Sequence, residues 1–273
     1  MSMPASPSAR SVQGRAPLGL TVPAIVALTF LIVPVIAIFV RAPWGALGQD
    51  LATSDARDAL RLSLETTLIS ALICTVLGVP LAWVLARTSF RGRSLVRALV
   101  TLPLVLPPVV GGIALLLALG RNGIIGEPLY NQFGIRFPFT TAGVVVAQTF
   151  VALPFMVITV EGAFRASDAR YDEAAATLGA SRWSTFRRVT LPLAMPGIVA
   201  GAVLSWARAL GEFGATVTFA GSLPGVTRTM PVEIYLVRYQ DTDSAIALSL
   251  VLIVISVAVL ALLRERWLSG AAR

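Results

Sequence analysis

Residues Arg170 to Ile198 read RYDEAAATLGASRWSTFRRVTLPLAMPGI, a polar, arginine-bearing stretch set between two strongly apolar runs. Tyr171, Ala174, Ala175 and Leu178 recur at the three- and four-residue spacing of one helix face. Asp172 and Glu173 fall in the early turns, where negative charge suits the helix dipole. Ser167 or Asp168 is available as the N-cap. Gly179 is a natural C-terminal stop. Ser181 can cap a second short helix, RWSTFRRV, which ends before Pro192. The stretch therefore predicts a small polar helical element inside a chain that is otherwise mostly membrane-seeking.

That surrounding character follows from composition. Of 273 residues, 56% are apolar and only 13% charged, far from the balance of a soluble domain. Several runs of about 20 residues carry no charge, which is the length of a bilayer-crossing helix. Six spans are expected: Leu18 to Val40, Leu62 to Ala86, Ala98 to Gly120, Thr141 to Val160, Leu193 to Leu210, and Ala245 to Leu263. The chain thus divides into an N-terminal segment 1–17, a membrane domain 18–263 whose polar loop covers 161–192, and a tail 264–273. Residues 1–14 are rich in Ser and Pro and are expected to be disordered. Arg10 and Arg15 before an apolar run resemble a secretory signal, but the run is too long and RAPWG is no small-residue cleavage site. The first span is therefore expected to be retained.

Arginine sets the orientation. The loop RTSFRGRSLVR holds Arg87, Arg91, Arg93 and Arg97 with no acid, whereas Asp50, Asp55 and Asp58 offset the three Arg between 41 and 61. With both termini inside, fourteen of the 22 Arg face the cytoplasm and eight face out. The opening stretch then lies on the cytoplasmic side, with Arg165, Arg170, Arg182, Arg187 and Arg188. The net charge of +8 is spread over loops between apolar runs, a pattern that suits a membrane and not nucleic acid.

The chain has no Lys and no His. A phosphate-cradling loop of the G-x-x-x-x-G-K-[ST] kind needs its Lys, so no ATP site of that type is present. Zinc sites built on His and Ser-His nucleophiles are excluded on the same ground. Cys74, the one cysteine, can make no intrachain disulfide and reads as a small buried hydrophobe. No cofactor or metal is expected, and the chain works by moving.

Prolines recur within the spans, most densely in TLPLVLPPVVGG, with Pro103, Pro107 and Pro108. Two readings stand: a structural kink, or a span that bends around a pathway. Arg208 and Glu212 share one helix face in SWARALGEFG. At about 1.5 Å per residue, Arg208 lies about 22 Å beyond Leu193, in the outer third of the fifth span. An unpaired Arg at a helix centre costs about 2.5–3.5 kcal/mol, less near the interface or with a partner. Pairing with Glu212 and snorkelling to the outer headgroups both fit. The pair is a candidate for the outer mouth of a path, and Ser205, Thr216 and Thr218 are polar candidates for its lining.

Two uses fit the opening element. A small smooth face on a short exposed helix suits another protein's groove. An interfacial helix on lipid headgroups would instead use Trp183 and Phe186.

The residues also carry a resemblance. Glu173-Ala174-Ala175, with Gly179 following and Leu191-Pro192 after a further gap, resembles the EAA loop of ABC importer permeases. LPLVLPPVVGGIALLLALGRNGIIG and SWARALGEFGATVTFAGSLPGVTRTMPVEIYL are similar to the oxyanion branch of that family, the molybdate and sulfate permeases. TRTMPVEIY after LGEFGATVTFAG is closer to the molybdate side. The likeness covers the chain from the second span onward.

The resemblance implies an all-α integral membrane fold of about six transmembrane helices with a cytoplasmic coupling-helix loop. It implies a transport subunit and not an enzyme, placed in the plasma (inner) membrane and carrying molybdate by alternating access. Its partners would be a second copy of this chain, two ATP-binding-cassette ATPase subunits, an extracellular or periplasmic oxyanion-binding protein and membrane lipid. Tyr171, Asp172, Glu173, Ala174, Ala175, Leu178, Gly179 and Arg182 would form the ATPase-docking element. Arg208, Glu212, Ser205, Thr216, Thr218, Pro107 and Pro108 would belong to the path or its gate. Sulfate, thiosulfate or tungstate is the alternative cargo. An ion-coupled carrier is a further alternative, for which the expected spans offer one acid, Glu65. A membrane enzyme is weakest, since no nucleophile–base set appears.

Overall fold

The computed structural model describes residues 18–167 and 170–270, and these form helices joined by short connections with no strand among them. The N-terminal segment 1–17, with its expected disorder, lies outside the described residues, as does the candidate cap Asp168.

The chain falls into two units, residues 1–42 and 43–273. The first contains α1 (Leu18–Arg41), with Pro23 and Pro34 inside it. Its most apolar 18-residue stretch has a mean hydropathy of 2.8, and nearly every side chain along it is exposed. A helix that is apolar all round is made for lipid.

The second unit begins with α2 (Leu47–Ala52) and α3 (Ser54–Arg87), then α4 (Arg93–Val105), α5 (Pro108–Leu119) and α6 (Gly126–Phe133). Next come α7 (Thr141–Ala166), α8 (Arg170–Thr177), α9 (Arg182–Thr185), a π-helical turn at Phe186–Thr190 and α10 (Leu191–Leu210). It closes with α11 (Gly214–Phe219), α12 (Met230–Val237) and α13 (Thr242–Gly270). Across the two units, α1, α3, α7, α13 and the α9–α10 segment are long and apolar enough to cross a membrane.

The expected third span is not one helix. α4 and α5 meet at 119°. Leu106 and Pro107 are extended, with ψ of 131° and 135°, and Pro108 opens the second helix. Two successive prolines remove two backbone donors, and Pro108 pushes Pro107 out of the helical region. The dense proline run therefore breaks the span outright, beyond a kink. The sixth span also differs, since α13 starts at Thr242 and runs to Gly270, past the expected end at Leu263.

α7 is the central post. Of its apolar stretch 61% is buried, against 22% for α13, so α7 sits inside the bundle and α13 at its edge. Its Ala152, Met156, Val157, Val160 and Phe164 pack with Cys74, Ala82 and Leu85 of α3 and with Ala194 and Ile198 of α10. Cys74 is fully buried there, as a small apolar filler. Close approach is bought with glycine: a Cβ on Gly201 would fall 2.6 Å from Met156 Sδ, and one on Gly197 2.2 Å from Ala163 Cβ. Small residues of this kind let membrane helices touch at backbone distance. Gly197→Val is accordingly expected to destabilise the bundle by about 1–3 kcal/mol through overpacking, read as a lowered unfolding midpoint in detergent.

Candidate functional site

The polar loop is built as two short helices. α8 ends in a Schellman closure: Gly179 adopts φ +80°, its N–H reaches the Ala176 carbonyl at 3.0 Å, and the Ala180 N–H reaches Ala175 at 3.0 Å. The stop role of Gly179 is thus met by its left-handed backbone, which disfavours any side chain. Ser181 Oγ accepts the Ser184 N–H at 3.2 Å, capping α9 as its sequence predicts. Ser167 is the residue that ends α7, giving its hydroxyl to the Phe164 carbonyl at 2.9 Å.

Exposure divides α8 into two faces. Tyr171, Ala174 and Leu178 form a stripe open to solvent, with Leu178 87% exposed, and Glu173 and Arg182 are exposed beside it. Ala175 is half-buried. Asp172 turns the other way: its Oδ1 accepts the Thr190 hydroxyl at 2.8 Å, and its Oδ2 lies 3.6 Å from Arg87 Nη2. Of the eight residues assigned to docking, Asp172 is therefore the one aimed inward. A cleft of about 450 Å³ separates α8 from the end of α3, lined by Trp83, Arg87, Asp172, Glu173, Ala176 and Arg182 among others. At its floor Phe186 stacks on Trp183 and meets Trp83 edge-on, both with centroids 5.7 Å apart.

A second ionic group lies nearby and was not anticipated. Glu161, nearly buried, joins Arg97 of α4 at 2.6 Å and Arg165 of α7 at 2.7 Å. The expected fourth span stopped at Val160, whereas α7 continues to Ala166 and carries Glu161 within it. The four-residue spacing of Glu161 and Arg165 was the available signal. Glu65, by contrast, is half-exposed and paired with Arg61 at 2.6 Å.

At the other end of α10, Arg208 Nη1 meets Glu212 Oε2 at 2.6 Å. Of the two sequence readings, pairing is the one observed. The Glu212 side chain is 1% exposed, and its Oε1 also accepts the Ala215 N–H at 2.8 Å, so one carboxylate holds Arg208 and the start of α11. α11 lies against α5: a Cβ on Gly112 would sit 2.6 Å from Thr218 Cβ, and one on Gly214 2.6 Å from Pro108 Cβ. Thr218 gives its hydroxyl to the Gly214 carbonyl at 2.8 Å. Thr216 is fully buried, and its hydroxyl has no hydrogen-bond partner among the described residues. Pro107 and Pro108 remain exposed at the α4–α5 break. The fold thus gathers Pro108, Gly214 and Thr218, with Glu212 holding the same short helix, but sets Ser205 apart. Ser205 is fully buried and bonds to the Ala152 carbonyl of α7 at 3.3 Å, on the α7–α10 seam.

The TRTMPVEIY segment is also tied down. Arg228 contacts buried Glu233 at 3.3 Å and Asp55 at 4.0 Å, and the Met230 N–H reaches Ser63 Oγ at 2.7 Å.

Comparison with known proteins places this geometry. Residues 78–269 match the family model described as binding-protein-dependent transport system inner membrane component. The chain is 52% identical over 238 residues to the molybdenum transport system permease protein ModB of Mycobacterium tuberculosis, covering 87% of this chain and 90% of that protein. It is 35% identical over 219 residues to the sulfate transport system permease protein CysT of Escherichia coli, covering 80% and 78%. In fold it is similar to a bacterial ABC transporter involved in the import of the acidic polysaccharide alginate, with a TM-score of 0.74 over 91% of this chain and 93% of that one at 19% identity.

Proposed function

Because the chain belongs to the family of binding-protein-dependent transport system inner membrane components, we propose that it is the membrane-spanning subunit of an ATP-driven importer of molybdate. The observation that carries the cargo is the 52% identity to a molybdenum permease over 90% of that protein's length, against 35% to a sulfate permease. Without a Lys the chain has no phosphate-cradling loop of the usual kind, so ATP is hydrolysed by a separate subunit.

In this reading two copies of the chain enclose the path, and an ATPase subunit docks on the α8 stripe of each. Closing of the ATPase pair on ATP moves α8, and the spans open alternately to the two sides. A binding protein outside the cell delivers the oxyanion and supplies most of the affinity. A path without a deep cluster of guanidinium groups suits this, since conduction needs release as well as binding. The termini lie in the cytoplasm, as the distribution of Arg supports. The Arg208–Glu212 pair and the α5–α11 contact at Pro108 and Thr218 belong to the outer part of the path.

The test is reconstitution with the ATPase subunit and the binding protein, comparing uptake of molybdate, tungstate and sulfate. ATP-dependent molybdate uptake that exceeds sulfate uptake is expected. Sulfate uptake of equal or greater efficiency overturns the cargo, and uptake without ATP overturns the mechanism.

A further inference from the structure

We propose that Asp172 is the positioning residue that transmits movement of α8 to the membrane helices, through Arg87 of α3 and Thr190 at the head of α10. The proposal rests on α8 being the element the ATPase moves. α8 has no buried residue, so packing alone does not fix it to the bundle. The cleft beside it keeps most of α8 away from the end of α3. What crosses that gap is polar: the Asp172 carboxylate, with the Thr190 hydroxyl on Oδ1 at 2.8 Å and Arg87 Nη2 3.6 Å from Oδ2.

Both partners sit where movement matters. Thr190 is 2% exposed and ends the π-helical turn that leads directly into α10. π-turns are local irregularities that recur at functional sites. Arg87 is the last residue of α3 and is already committed to α7, its Nη2 donating to the Ser167 hydroxyl at 2.6 Å and carbonyl at 3.2 Å. One carboxylate on the docking helix therefore reaches the cytoplasmic ends of three helices of the core. The Arg87 contact is also incomplete. At 3.6 Å it is an ion pair without a hydrogen bond, and the buried Arg87 Nε has no partner among the described residues. A small advance of α8 supplies Nε with the carboxylate and makes the pair bidentate, the stronger geometry for guanidinium and carboxylate. The observed contact is thus the loose arrangement, and the proposal requires a tight one as the second state of the transmitting element.

The test measures molybdate uptake and phosphate release in the same proteoliposomes, with ATPase subunit and binding protein present. Asp172→Asn is expected to lower uptake per ATP by about tenfold while the ATPase subunit still co-purifies at wild-type stoichiometry. Asp172→Glu is expected to restore most of the ratio, and adding Thr190→Val to Asp172→Asn is expected to lower it little further. Loss of the ATPase subunit from Asp172→Asn would instead make Asp172 a docking contact and overturn the proposal. If Asp172→Asn fails to assemble, Thr190→Val removes one of the two contacts, and an unchanged ratio there overturns the proposal equally. Wild-type vesicles without ATP-driven uptake overturn the functional reading, and this inference with it. A coupled wild type with an unaltered Asp172→Asn ratio overturns the tether alone.

Discussion

Leu178→Glu is expected to abolish ATP-driven uptake, by about a hundredfold or more, and to leave the membrane helices folded. Leu178 is 87% exposed at the end of the open stripe that starts at Tyr171 and passes through Ala174. An apolar side chain so presented adds nothing to the stability of this chain alone. Buried in a partner's groove, it would contribute about 1.5–3 kcal/mol by removal of apolar surface from water. A carboxylate in its place forfeits that and adds the cost of desolvating a charge, so the combined effect exceeds the factor of ten that each 1.4 kcal/mol represents. Ala175→Glu should act in the same direction but less cleanly, because Ala175 is half-buried and its carbonyl accepts the Ala180 N–H. Two measurements check this. The ATPase subunit should no longer co-purify with Leu178→Glu, while the unfolding midpoint in detergent stays at the wild-type value. Undiminished binding of the ATPase subunit would remove α8 from the docking surface.

Much of this loop was legible because its signals are local. The Ser181 cap, the Gly179 stop and the apolar spacing of Tyr171, Ala174 and Leu178 all act within one or two turns, and each appears where its residue type predicts. The spans were legible for a similar reason, since about 20 apolar residues meet a bilayer whatever surrounds them. What local signals do not carry depends on partners far away in sequence. Asp172 was placed with Glu173 on the docking face, but Thr190 and Arg87, 18 residues ahead and 85 behind it, draw it inward. Glu161 went unread because its contact with Arg97 spans 64 residues, and only its pairing with Arg165 has a local signature. Pro107 and Pro108 were noticed, yet a break and a kink look alike in one dimension. Hydropathy counts residues along a run and says nothing about a 119° change of direction within it.

Replacing Arg208 and Glu212 together should separate stability from transport, which neither single substitution can do. With the Glu212 side chain 1% exposed and bonded to both Arg208 and the Ala215 N–H, removing Arg208 leaves a buried carboxylate with one donor. Breaking a buried pair from one side costs about 3–5 kcal/mol, mostly from the uncompensated charge. Arg208→Gln is therefore expected to lose both uptake and stability, and the loss of uptake alone would not identify a role in the path. In Arg208→Gln/Glu212→Gln the buried charge is gone, the two amides stay within reach of each other across the end of α10, and the amide oxygen at 212 can still accept the Ala215 N–H. Removal of a whole buried pair is often close to neutral, so the unfolding midpoint should return near the wild-type value. If Arg208 belongs to the path as proposed, uptake should stay at least about tenfold down, because its guanidinium is 29% exposed and so open to an anion. Recovery of uptake together with stability would make the pair a support for α11, with no contact to the cargo.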